Sequence, residues 1–183
     1  MSSTNTIWAH DDDIHAYWAI PGQLLAGEYP GAKTADKALA KLETLLDAGV
    51  TSFVDLTEAG ERTWGGEPMR PYAGLLRDRG VKHVRFPIRD TSVIDDAGYD
   101  EILAHIRAEI AAGEVVYLHC WGGKGRTGTV VGALLIADEG VGYPGVIGRM
   151  QELRAGTCKE DHPGPDTLEQ HDVLRRRAQR REA

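Results

Sequence analysis

Only two cysteines, Cys120 and Cys158, occur among the 183 residues, too few for a disulfide framework. The chain also lacks a positively charged, apolar leader, and its longest apolar run is about half a membrane span. A cytoplasmic protein with reduced thiols is therefore expected. There is no excess of basic residues; the formal net charge is −7, which argues against general binding to nucleic acid or to acidic membranes, since both need a basic face. The one basic cluster, Arg175 to Arg181, reads as the solvated end of a last helix, where cations suit the helix dipole. No internal repeat or low-complexity linker divides the chain. No cluster with metal-ligand spacing is visible either, so neither metal nor cofactor is expected. A 42% apolar content is enough for one good core, and the size is that of a single domain.

What is present is a strong alternation of apolar patterns. Leu39, Leu42, Leu45 and Leu46 line one face of a helix over about 34–48, ended by Gly49, before a strand over 50–56. Residues 68–79, carrying Tyr72, Leu75 and Leu76, read as a second helix feeding a strand over 81–86. Ile102, Leu103, Ile106 and Ile110 form the inward face of a third, stopped by Gly113. A short helix near 144–154 and a last one near 166–180 follow, the latter with Asp166 and Glu169 as a capping box. Strands alternating with helices predict an α/β domain with a mainly parallel central sheet flanked by helices. Residues 1–16 are expected to form a polar N-terminal segment, its 1–13 part loosely held with only Ile7 and Trp8 to bury, and 17–183 the domain itself.

The most informative stretch runs from His119 to Gly128. The apolar Val115-Val116-Tyr117-Leu118 reads as a buried strand, and the long apolar run from Thr129 to Ala137 as a buried helix stopped near Gly140. Between them, Cys120 and Arg126 stand at the two ends of a glycine-rich loop. A helix N-terminus there offers unpaired N–H groups and a positive dipole end to an anion. Gly122, Gly123 and Gly125 allow left-handed angles that turn N–H groups inward as a nest, and Arg126 adds a planar fork for two phosphate oxygens. The same field favours the Cys120 thiolate, an activated nucleophile beneath a bound phosphoryl group.

Competing patterns are weaker. Gly123 to Gly128 also satisfies G-x-G-x-x-G, but Cys120 and three further residues separate it from the strand, and Asp138 falls at a helix end instead of at the end of a second strand. A phosphate-binding loop of the nucleotide-hydrolase type needs Ser or Thr after the lysine, and Gly125 follows Lys124.

The residues His119, Cys120, Arg126, Thr127 and Gly128 resemble the H-C-x5-R-[ST]-G signature of the cysteine-dependent protein tyrosine and dual-specificity phosphatases. The resemblance implies a phosphocysteine intermediate on Cys120, transition-state binding by Arg126 and a Thr127 hydroxyl that helps the thiolate depart. The Phe86-Pro87-Ile88-Arg89-Asp90 stretch is similar to the acid loop of the dual-specificity branch. It makes Asp90, thirty residues before Cys120, the general acid and then the base for water, with Asp95 and Asp96 as alternatives and a turn cap as its plain structural role. Residues 17–31 resemble the opening strand pair of compact bacterial tyrosine-phosphatase-like proteins. Gln170 resembles the family's water-positioning glutamine, His119 is expected to orient the loop through hydrogen bonds, and Trp121 is expected either to form an apolar lip at the site or to pack over the loop.

A phosphatase hydrolysing phosphate monoesters follows from the resemblance. Phosphotyrosine or mixed phosphoprotein substrates rank first. Lys124 inside the loop keeps soluble inositol phosphates or phosphoinositides second. A non-catalytic phosphate-binding module and a sulfurtransferase or arsenate reductase stay open as other classes. Cys158 reads as a structural cysteine, with a redox partnership to Cys120 as the alternative.

Overall fold

The computed structural model describes residues 7–77, 79–162 and 164–182, with the side chain of Glu182 left out. The elements are β1 (Ala16–Ile20), β2 (Leu24–Gly27), α1 (Ala35–Asp47), β3 (Ser52–Asp55), α2 (Ala73–Arg77), β4 (Lys82–Arg85), α3 (Asp96–Ala111), β5 (Val116–His119), α4 (Gly125–Glu139), α5 (Tyr143–Arg154) and α6 (Leu168–Glu182). One five-stranded sheet runs in the order β1-β2-β5-β3-β4. β5 lies in the middle, parallel to β2 and β3, β3 is parallel to β4, and only the edge pair β1 and β2 is antiparallel. The expected α/β domain with a mainly parallel sheet is what forms.

Strand periodicity sorts the core into two layers. Val54, Val116, Leu118, Leu24 and Ala26 face α3, α4, α5 and α6, while Phe53, Tyr117 and Leu25 face α1, α2 and the N-terminal segment. Because successive side chains on a strand point to opposite faces, consecutive residues at the end of β5 part company. Cys120 joins the layer beneath α4, and His119 enters the aromatic layer with Tyr29, Tyr72 and Tyr117. α4 is buried all round from Gly125 to Ile136, as its uniformly apolar sequence requires.

Three expectations change. The helix over 68–79 shrinks to α2, because Pro68, Pro71 and the Gly65-Gly66 turn favour a small hairpin first. In that hairpin Thr63 N–H donates to Glu67 O at 2.8 Å, Met69 N–H donates to Glu61 O at 3.0 Å, and Gly66 takes φ +79°. Tyr72 and Leu76 still point inward, but Leu75 is exposed. The capping box of α6 lies one residue later than expected: Thr167 Oγ1 accepts from Gln170 N–H at 3.3 Å, and Gln170 Oε1 accepts from Thr167 N–H at 3.1 Å. Residues 8–13, expected to be loose, are tied down at Trp8, while His10 and Asp13 stay exposed. Trp8, Ile14 and His15 are buried, and Trp8 Nε1–H donates to Ile14 O at 2.8 Å. The residues before Ile7 lie outside the described ones.

Candidate active site

The loop after β5 is held from outside by its carbonyl groups. Leu56 N–H donates to His119 O, His119 Nδ1 faces Cys120 O at 3.1 Å, Tyr29 N–H donates to Trp121 O at 2.9 Å, Lys159 Nζ donates to Gly122 O at 2.7 Å, and Arg154 Nη2 donates to Gly123 O at 3.2 Å. Among the described residues no protein acceptor takes the N–H groups of Trp121 to Gly125. Tying the carbonyls back leaves those donors for a ligand, which is the electrostatic pattern of an anion nest. Gly123 makes the turn possible, with φ +72° and its α-carbon so close to β2 that a Cβ there would come within 2.6 Å of Gly27 O. α4 begins at Gly125, inside the motif, with no side-chain cap and no acidic residue in its first turn. Its dipole therefore acts directly on the loop.

Cys120 is 3% exposed at the floor of a cavity of about 490 Å³ whose lining includes Arg126, Asp90, Gly122, Lys124 and Gln170. Trp64 and Trp121 also border it. Trp121 tilts against Tyr29 at 6.1 Å between ring centres, and Trp64 is 87% exposed. Trp121 thus both packs over the loop and faces the cavity.

Arg126 is buried, and its guanidinium is held by a partner that sequence reasoning missed. Nη1 and Nη2 each donate to a Glu61 carboxylate oxygen at 2.7 Å, Nη1 also donates to Ile88 O at 2.9 Å, and Nη2 lies 3.0 Å from Asp90 Oδ1. Burial opposes the charge, but the Glu61 hydrogen bonds and the nearby Cys120, Glu61 and Asp90 outweigh it and keep the guanidinium protonated. Its Nε is buried without a partner, as is Thr127 Oγ1. An unpaired guanidinium N–H on a residue that lines the same cavity as Cys120 is unusual in a protein interior, and a bound oxyanion is the kind of group that satisfies it. Glu61 carried no signal in the sequence beyond its charge, because it lies in an aperiodic hairpin whose position depends on tertiary packing.

Asp90 joins this cavity, half-exposed, followed by Thr91 at φ +60°, a value few non-glycine residues adopt. Its two alternatives are committed elsewhere. Asp95 caps α3 by accepting from Gly98 N–H at 2.8 Å, and Asp96 pairs with Arg176, Arg177 and Arg180 of α6. Lys124 lies 3.5 Å from Asp166, so part of its charge is already offset. Gln170 is fully buried, and its Nε2 donates to Ser92 O at 3.3 Å, linking α6 to the acid loop.

Behind the loop, His119 Nε2 meets the Tyr72 hydroxyl, and the ring lies 3.9 Å from Asp55 Oδ1. Burial disfavours the imidazolium and lowers the His119 pKa despite the Asp55 charge. A neutral ring that donates from Nδ1 to Cys120 O and accepts at Nε2 from Tyr72 fits both contacts. Asp55 is itself held ionised: burial pushes its carboxyl up, but His83, His119 and Thr57 together bring it below the usual range.

Residues 15–179 match the model of a family described as the Swiss Army Knife protein DSP-PTPase phosphatase domain. A putative tyrosine phosphatase 197R from Invertebrate iridescent virus 6 is 32% identical over 96 residues, half of this chain and 33% of the viral protein's length. The structure of Tk-PTP in its active form superposes with a TM-score of 0.67 at 26% identity, covering 90% of this chain and 97% of that one. Kinase associated phosphatase, at 20% identity and TM-score 0.73 over 93% of this chain and 97% of its own, shares the fold. With the signature loop in place and the family model spanning nearly the whole chain, this protein belongs to the DSP-PTPase phosphatase-domain family, the dual-specificity type of the protein tyrosine phosphatase superfamily.

Proposed function

We propose that the enzyme hydrolyses aryl phosphate monoesters on proteins, phosphotyrosine first, in two steps. The observation that carries this reading is the meeting of Cys120, Arg126 and Asp90 in one cavity, with Arg126 Nε buried and unpartnered. In the first step Cys120 Sγ attacks phosphorus, and the P–O bond to the leaving group breaks. Asp90 gives its proton to the departing oxygen. Arg126 and the loop N–H groups bind the equatorial oxygens, where charge is greatest in the transition state. In the second step Asp90 takes a proton from water, which attacks the phosphocysteine. In this reading Gln170 orients that water, and the Thr127 hydroxyl donates to the departing sulfur. Trp64 and Trp121 offer two aromatic faces at the mouth, which favours an aryl ester.

Inositol phosphates or phosphoinositides form the second reading. Lys124 supports it, as does the shared fold of PTPMT1, whose structure was solved in complex with PI(5)P. The Asp166 neighbour weakens it by offsetting Lys124. A cytoplasmic location is part of the proposal and is supported by two free thiols and a mechanism that needs one of them reduced. No single helix among the described residues is long and apolar enough to cross a membrane.

The test is hydrolysis of para-nitrophenyl phosphate in the presence of chelator by the wild-type enzyme and by Cys120→Ser, followed by kcat/KM on phosphotyrosyl peptides and on soluble inositol phosphates. Activity lost in Cys120→Ser alone, with peptides preferred, supports the reading. Surviving activity in Cys120→Ser removes the covalent step, and a preference for inositol phosphates reverses the substrate ranking.

A further inference from the structure

A second constellation of reactive side chains lies outside the cavity and takes no part in phosphoryl transfer. The turn that opens the described chain brings Asp11 and His15 together, four residues apart, with Asp11 Oδ1 2.8 Å from His15 Nδ1. The segment after α5 adds Cys158, whose Sγ lies 3.5 Å from the same His15 Nδ1. One oxygen, one nitrogen and one sulfur from these residues all fall within 4.8 Å of one another.

The arrangement is braced by backbone. Asp11 Oδ2 accepts from Cys158 N–H at 2.5 Å, Asp11 Oδ1 accepts from Ala16 N–H at 3.3 Å, and Glu28 N–H donates to His15 O at 3.0 Å. His15 is 2% exposed, and its Nε2 is buried with no partner.

Two ordinary explanations of such a trio fail on geometry. A nucleophile triad needs the histidine to use one ring nitrogen for the thiol and the other for the carboxylate. Here both partners face Nδ1, and Nε2 faces neither. A reactive redox thiol needs an electropositive setting that favours the thiolate. Burial and the adjacent Asp11 push the Cys158 thiol up to about 11. That also argues against its acting as a redox partner of Cys120.

Three electron-rich atoms converging on one point are what a cation replaces. For tetrahedral zinc, with bonds of about 2.0 Å to nitrogen and 2.3 Å to sulfur, the nitrogen-to-sulfur edge is about 3.5 Å, which is the separation found here. The nitrogen-to-oxygen edge for the same ion is about 3.3 Å, so Asp11 Oδ1 has to retreat by about half an ångström from its present 2.8 Å.

We propose that Asp11, His15 and Cys158 form a binding site for a transition-metal ion of the zinc type. The mixed oxygen, imidazole and thiolate set suits Zn²⁺ or Co²⁺ over Mg²⁺ or Ca²⁺. Cys158 is exposed, so a fourth position opens to solvent for water. On binding, the Cys158 S–H bond is replaced by sulfur-to-metal, and its proton leaves to solvent. His15 keeps one proton, on Nε2, and Asp11 binds as carboxylate. The site is separate from the catalytic cavity, but Lys159, next to Cys158, holds Gly122 O of the catalytic loop. The ion therefore clamps the N-terminal turn to the segment that supports that loop. No local spacing signals it, because His15 and Cys158 are 143 residues apart.

The test uses the full chain with Cys120→Ser, which leaves Cys158 as its single thiol. Co²⁺ is titrated while thiolate-to-cobalt charge-transfer and tetrahedral ligand-field bands are followed, and Zn²⁺ is titrated in weak buffer to count protons. The expected result is one equivalent bound and one proton released. Adding Cys158→Ser should abolish the charge-transfer band, and adding Asp11→Asn should weaken binding at least tenfold. Zn²⁺ should raise the melting temperature of the single variant but not of the Cys158→Ser double variant. Absence of the band, a band that persists without Cys158, or an affinity indifferent to Asp11→Asn overturns the assignment. Cys158 is exposed, so its replacement leaves a folded protein in which these outcomes are readable.

Discussion

Replacing Glu61 by Gln tests whether the Arg126 guanidinium is held in place by a buried carboxylate. The pair is nearly dry, with side-chain exposures of 1% for Arg126 and 8% for Glu61. Two charge-assisted hydrogen bonds of 2.7 Å join them. Removing one partner of a buried ion pair typically costs about 3–5 kcal/mol, because the other charge is left uncompensated. Glutamine keeps the shape and one carbonyl acceptor, and Arg126 retains Ile88 O at 2.9 Å and Asp90 at 3.0 Å. The expected loss is therefore about 2–4 kcal/mol, a large share of the roughly 5–15 kcal/mol that holds a domain together.

With a urea m-value of about 2 kcal/mol/M, the unfolding midpoint should fall by about 1–2 M while the slope stays unchanged. Activity should fall too. Without Glu61 the guanidinium leans toward Asp90, its remaining carboxylate, and displacement of such a group by about 1 Å can cost on the order of 10²-fold. Urea melts and kcat/KM on para-nitrophenyl phosphate read the two effects separately. A midpoint within about 0.3 M of wild type, together with unchanged kcat/KM, would refute the claim that Glu61 positions Arg126.

Asp90→Asn should lower kcat by about 10² to 10⁴ on a phenyl phosphate with a poor leaving group and far less on a dinitrophenyl ester; an equal loss on both removes Asp90 as proton donor. Stability should depend on pH in a defined direction. Burial lowers the pKa of His119, and burial with the nearby Lys159 lowers that of His15. Below about pH 6.5 the unfolded chain takes up protons that the folded one refuses, so stability is complete above that pH and falls as pH drops, by at most about 1.4 kcal/mol per pH unit for each ring. Asp55, whose carboxyl is held low in the fold, adds to the loss below about pH 4. Urea melts between pH 8 and 5 check this, and a midpoint that stays level or rises as pH falls would contradict the neutral, buried state of His119 and His15.

Much of this protein was legible in its sequence because the relevant forces are local. Glycines, a strand ending at His119 and a uniformly apolar helix specify the loop between them, since backbone angles and helix dipoles depend on neighbours in the chain. Alternation of apolar patterns was enough to predict a mainly parallel sheet, and α1 formed almost as its leucine spacing required. Tertiary structure alone decided the rest. It chose Asp90 over Asp95 and Asp96 for the cavity by committing those two to α3 and α6, and it brought Glu61 onto Arg126 from a hairpin without periodicity. It buried Gln170 as a capping residue tied to the acid loop, and it gathered Asp11, His15 and Cys158 from opposite ends of the chain. In each of these cases a charge or donor finds its partner at long sequence separation, where pairing is set by the packing of the sheet and its helices and not by spacing along the chain.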